Sequence, residues 1–217
     1  MGSGLPDGVI SAADALERLR EGNRRFAAGL RSMEVLATHT RRADLLAGQR
    51  PFAIVLGCSD SRVPAEIVFD QGLGDLFVIR VAGNVVAPSQ VGSVEFAATR
   101  YDTRLVVVLG HSQCGAIAAT LEELSQPSAT RSRNLRSIVN RIRPSVETLL
   151  ATELRHDPAA LARQAVRANV HASVDHLRHG SEVLEDLAAG SGLRIVGAEY
   201  SLETGLVEFH DDEAAAH

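Results

Sequence analysis

Three short runs along the chain are apolar almost throughout: Phe52-Ala53-Ile54-Val55-Leu56, Leu76-Phe77-Val78-Ile79 (continuing to Arg80-Val81) and Leu105-Val106-Val107-Val108-Leu109. Continuous apolar runs of this length mark strands covered on both faces, as in a parallel sheet. Helical patterns separate them, a short one from Ala65 to Phe69 and a longer one from Val91 to Tyr101. Another helix follows from Gly115 to Leu124. Alternation of strand and helix predicts an α/β fold: a mostly parallel central sheet with helices on both faces.

Upstream, Ser11 followed by Leu16, Leu19 and Phe26 predicts a capped amphipathic helix ending near Gly29, and a second helical stretch spans Thr40 to Leu46. Neither forms a core alone, so residues 1–48 read as an N-terminal helical arm on the main domain or on a second subunit. After the break at Gln126-Pro127-Ser128 the pattern predicts helices over Leu135 to Leu150, kinked or restarted at Pro144, over Ala159 to Leu177, and near Val183 to Leu187. His171, His176 and His179 share one of these stretches and read as a solvated face. Leu193 to Gly197 and Leu206 to Phe209 flank the turn Glu203-Thr204-Gly205 and predict a hairpin that puts an antiparallel strand at the sheet edge. The expected organisation is a single domain, with an α/β core over 49–210 and a frayed tail over 211–217.

Composition narrows the function. With 217 residues, 45% hydrophobic, the chain can bury one large core. A net charge of -5 argues against a nucleic-acid partner, which calls for a basic surface. All 22 cationic residues are arginine, so lysine chemistry is excluded. No export signal or membrane-length apolar run is visible, so a cytoplasmic protein without a membrane partner is expected. In such a reducing compartment the two cysteines, Cys58 and Cys114, are thiols rather than a disulfide. They could be ordinary buried residues, but each sits at a strand end beside other ligand-type side chains.

Those strand ends carry the chemistry. Cys58, Asp60 and Arg62 alternate, so in extended chain they face one side. His111 and Cys114 follow the third apolar strand, and the start of the following helix favours a Cys114 thiolate. Both junctions lie at carboxyl ends of strands, where ligands of open α/β sheets collect. Cys58, His111 and Cys114 make a two-thiolate, one-imidazole set of the kind that binds zinc and leaves a fourth position open, with Asp60 as a conditional fourth ligand. An Arg62 fork would hold Asp60 ionised and off the metal. Alternatively, the pair merely caps a turn. Gly72-Leu73-Gly74 does not continue as a dinucleotide fingerprint. Cys58 and Arg62 are too close, with an acid between them, for a phosphatase loop.

Cys58-Ser59-Asp60-Ser61-Arg62 together with His111-Ser112-Gln113-Cys114-Gly115 resembles the β-class carbonic anhydrase family. The likeness continues through Phe69 to Arg80, Ala82-Gly83-Asn84, Gly92 to Phe96 and the closing hairpin. It implies one Zn2+ per subunit on Cys58, His111 and Cys114, with Asp60 and Arg62 as catalytic dyad. The activity it implies is reversible hydration of CO2 to bicarbonate by hydroxide on the zinc. The resemblance further implies that Gln49 binds bicarbonate near a dimer interface, that Phe77 and Ala82 line an apolar substrate pocket, and that Phe96 replaces a tyrosine there. It implies a homo-oligomer, dimer or tetramer. Arg80 and Tyr200 match a regulatory bicarbonate site of some members, but Val55 stands where that site has tryptophan, so regulation through it is not expected. His39 is a candidate proton carrier, set against an ordinary surface histidine. Two rival functions use the same residues: hydrolysis of carbonyl sulfide or CS2, and a non-catalytic zinc domain in which Asp60 ligates permanently.

Overall fold

A computed structural model describes residues 9–30, 39–126 and 132–210. Five strands, β1 (Ala53–Gly57), β2 (Leu76–Arg80), β3 (Leu105–His111), β4 (Arg194–Tyr200) and β5 (Val207–His210), form one sheet in the order β2-β1-β3-β4-β5. β1 to β4 pair in parallel, and β5 closes the edge antiparallel to β4. The expected mostly parallel sheet with an antiparallel edge strand is what the chain forms. The continuous apolar runs have their explanation here: β1 and β3, side by side at the centre, are buried at every position.

Helices cover both faces. α1 (Ala12–Ala27) starts at Ser11, whose hydroxyl accepts the Asp14 N–H, and buries Ala12, Ala15, Leu16 and Leu19. That spacing lays one helix stripe on the sheet face formed by Val55, Val107 and Val196. Asn23 fixes the helix in place: its amide donates to the carbonyls of Val68 and Gly205 and accepts the Val207 N–H. The opposite face carries α4 (Pro88–Arg100), α7 (Pro158–His179) and α8 (Glu182–Ser191), which enclose Ile54, Val106, Val108 and Ile195. Asp157 caps α7 directly ahead of Pro158. A third apolar cluster, including Val85, Ile117, Ile142 and Ala165, gathers around the two cysteines where α5 (Gly115–Ser125) and α6 (Arg133–Val146) meet α7.

Several boundaries differ from the sequence reading. The second helical stretch divides into α2 (His39–Asp44) and a 3-10 turn over Leu45–Ala47. α6 does not restart at Pro144; it runs two residues past it and tightens into a 3-10 turn over Glu147–Ala151. Proline forgoes the bond to the carbonyl four residues back, and the α-helix ends within a turn of it. α3 (Ala65–Val68) follows the first motif as a single turn. Pro127 and Ser128 of the expected break, the tail over 211–217 and the side chain of His39 lie outside the described residues.

Candidate metal centre

Cys58 follows the last residue of β1, His111 ends β3, and Cys114 caps α5. Because β1 and β3 are neighbours, with Gly57 opposite Leu109, the two strand ends deliver their side chains to one place. One ligand atom from each of Cys58, His111 and Cys114 lies within 4.8 Å of the others, and all three residues are buried. Between Ser112 and Cys114 the chain turns through Gln113, a non-glycine residue in the left-handed region (φ 56°). This turn lets a strand residue and a helix cap three positions apart face the same point.

Burial and hydrogen bonding fit these residues to a divalent cation. His111 Nδ1 lies 2.9 Å from the Ser112 carbonyl, which keeps the ring proton there. Nε2 is left facing the sulfurs, buried and without a hydrogen-bond partner. Burial disfavours a charged ring, but attraction to the Cys58 sulfur outweighs it and raises His111 above its usual range. The hydrogen bond from Cys114 draws Cys58 down to about 4 and at the same time pushes Cys114 up. Left to themselves the two sulfurs share one proton, whereas a dication would make both thiolates. Two sulfurs and one imidazole nitrogen this close together are a donor set that could hold a zinc ion.

Asp60 is turned away from this group and onto Arg62. The fork is bidentate, with Arg62 Nε 2.9 Å from Asp60 Oδ1 and Nη2 2.7 Å from Oδ2, and the Arg62 backbone N–H adds a third bond at 2.9 Å. Arg62 is itself anchored on the Gln113 carbonyl. These bonds hold the Asp60 carboxyl well below the ordinary carboxylate range. Its Oδ2 still lies 4.0 Å from His111 Nε2. Arg80, at the end of β2, donates to the carbonyls of Cys58 and Asp60 and so fixes the backbone that carries both side chains.

Sequence reasoning missed two supports. Gly83 donates its backbone N–H to Cys58 Sγ at 3.3 Å, and Asn169 of α7 holds the Gly83 carbonyl. Glu203 accepts from Ser112 Oγ and Gln113 Nε2, both at 2.8 Å, clamping the turn between His111 and Cys114. Those bonds lower Glu203 to about 2. Their only trace in the sequence is membership of the quoted motifs and of the closing turn.

The substrate-pocket residues are divided. Ala82 is exposed and adjoins Gly83 at the metal centre. Within one chain Gln49, Phe77 and Phe96 are not brought to it. Gln49 precedes the amino end of β1, about 16 Å of strand away, where its amide donates to the Tyr101 hydroxyl. Phe77, Phe96 and Tyr101 pack as a ring cluster with centroids 5.8–6.2 Å apart, and Phe96 is half exposed. Gln49 and Tyr101 also line a cleft of about 890 Å³ that includes no metal-centre residue.

A family model described as carbonic anhydrase matches residues 53–207. The chain is 41% identical over 197 residues to carbonic anhydrase 2 of Mycobacterium tuberculosis, covering 91% of this chain and 92% of that protein. It is 43% identical to a carbonic anhydrase of Mycolicibacterium smegmatis, with 89% and 91% covered. Among solved structures it is similar to the β-carbonic anhydrase CafA of Aspergillus fumigatus. That match has a TM-score of 0.71, 25% identity, and coverage of 92% and 90%.

Proposed function

The chain belongs to the β-carbonic anhydrase family, and on that premise we propose that it hydrates CO2 to bicarbonate with Zn2+ held by Cys58, His111 and Cys114. When bound, zinc supplies Lewis acidity that brings the pKa of a water molecule to roughly 7. Asp60 and Arg62 supply the rest. The observation that carries this reading is the Asp60–Arg62 fork, which holds the carboxylate on arginine, off the three donors and with Oδ2 4.0 Å from His111 Nε2. A purely structural zinc site would have no use for such an arrangement.

Held this far below its ordinary range, Asp60 does not keep a proton near neutrality. Its role is to accept a hydrogen bond from the attacking oxygen and direct the lone pair at the carbon of CO2. A C–O bond then forms, one C=O π pair moves onto oxygen, and the proton leaves to solvent or buffer. Ala82, exposed and next to Gly83, is assigned to the apolar lining near the centre. Gln49, Phe77 and Phe96, remote from this chain's own metal centre, are assigned to the pocket of a second copy, completed across an interface that includes the partly exposed edge strand β2.

The test is CO2 hydration by the zinc-loaded full chain across pH. Turnover that depends on zinc is expected. Fully loaded protein that is silent with CO2 yet hydrolyses carbonyl sulfide or CS2 would transfer the site to those substrates. Silence towards all three would make the zinc structural. Among the described residues no helix is long and apolar enough to cross a membrane.

A further inference from the structure

Far along the sheet from the cysteines, two of the remaining histidines meet. His171 of α7, read from sequence as part of a solvated face, lies with its Nε2 3.2 Å from Nδ1 of His210, the last residue of β5. Two ligands at about 2.1 Å from one ion, subtending a tetrahedral or square angle, are separated by roughly 3.0–3.4 Å. The histidine nitrogens already stand at that separation. On the other side of the His210 ring, Nε2 is 2.9 Å from Glu199 Oε1, close enough for an ion pair but without hydrogen-bond alignment. A carboxylate at this distance places negative charge beside the pair, which favours a bound cation.

The fold makes room for this pairing. Gly197, opposite His210 in the β4–β5 register, has no side chain, and a Cβ there would come within 3.2 Å of His210 Nδ1 and 2.8 Å of Val170. The imidazole therefore lies over β4 and reaches α7. The charge around it is balanced: Arg167 bonds Glu199 at 2.7 Å and Glu208 at 3.0 Å, and Arg178 is turned onto the Ile195 carbonyl. His171 is exposed, so an ion can reach the pair from solvent.

We propose that His171 and His210 form a second divalent-metal site, suited to imidazole-binding ions such as Ni2+, Cu2+ or Zn2+, with Glu199 as the carboxylate beside it. Only one hydrogen fits between the two facing nitrogens. On binding, that hydrogen leaves through solvent, both facing nitrogens become ligands, and water fills the remaining coordination positions. The ion clips the closing strand β5 to α7. The site is independent of the cysteine centre and of the reaction assigned to it.

The test is calorimetric titration of the zinc-loaded full chain with Ni2+. One further equivalent per chain is expected, together with a rise in the thermal midpoint. H171A, on an exposed helix face, abolishes both effects without changing CO2 hydration, and H210Q does the same to the titration. H176A and H179A leave the binding intact. E199Q weakens it by about tenfold. Failure of the wild-type chain to take up Ni2+, or uptake that survives H171A, overturns the proposal.

Discussion

Gly83 presents its backbone N–H to the sulfur of Cys58 from a left-handed turn with φ 69°, a conformation that side chains resist. Its Cα also faces a tight wall, for a Cβ would stand 2.8 Å from Ile142 Cδ1 and 3.0 Å from Ala116. Gly83→Ala therefore combines backbone strain with overpacking. A loss of about 2 kcal/mol is expected, together with weaker zinc retention. Chemical denaturation and metal analysis of the purified variant check it. An unchanged midpoint would mean that the turn relaxes freely.

Asp60→Ala should keep its zinc, since Cys58, His111 and Cys114 form the donor set without it. Turnover should fall by about a hundredfold or more, the usual scale for removing a group that orients a reacting proton. Loss of zinc along with activity would instead make Asp60 an obligatory ligand. Arg62→Ala frees the carboxylate and should lower activity while lengthening metal retention against a chelator.

Glu203 gives a pH signature. Hydrogen bonds from Ser112 and then Gln113 lower it from 4.5 to about 2, so the folded state favours its charged form. The stability it contributes is fully present above about pH 4.5 and is lost as pH falls towards 2. Denaturation midpoints measured across that window should slope less in Glu203→Gln than in the wild type. Parallel slopes would remove Glu203 from the clamp.

If Gln49 serves a second copy's pocket, complementation follows. A Cys58→Ser chain lacks a metal ligand but keeps Gln49, whereas a Gln49→Ala chain has the reverse defect. Random reassortment makes half the dimers mixed, each with one complete site, so about a quarter of wild-type activity should return. No recovery on mixing would place Gln49 in the pocket of its own chain.

The sheet and the metal ligands could be read from sequence because both depend on local pattern. β1 and β3 are buried at every position, apolar as far as the glycines near their ends, and Cys58, Asp60 and Arg62 sit two residues apart at a strand end. Parallel pairing then leaves few places for His111 and Cys114 other than beside them. Glu203 and Asn169 left no such trace, since Glu203 acts across 90 residues of chain and Asn169 across 86. His171 stands on the exposed face that the helical spacing predicted, but spacing reports only neighbours on its own helix, and the contact with the His210 ring comes from the closing strand 39 residues later. The strand predicted over 52–56 already separated Gln49 from Cys58; what the sequence did not show was the partner Gln49 takes at the far end, the Tyr101 hydroxyl.

The adjacency of β1 and β3 has one more consequence. A slip of one residue in their pairing would turn Cys58 to the far side of the sheet while His111 and Cys114 stayed together. Such a misassembled chain could still bury most of its aliphatic surface, and so pass as folded by compactness alone. It could not close the three-donor set. If the site holds zinc as proposed, occupancy becomes a gauge of strand register, and the ion sorts correctly assembled molecules from their near misses.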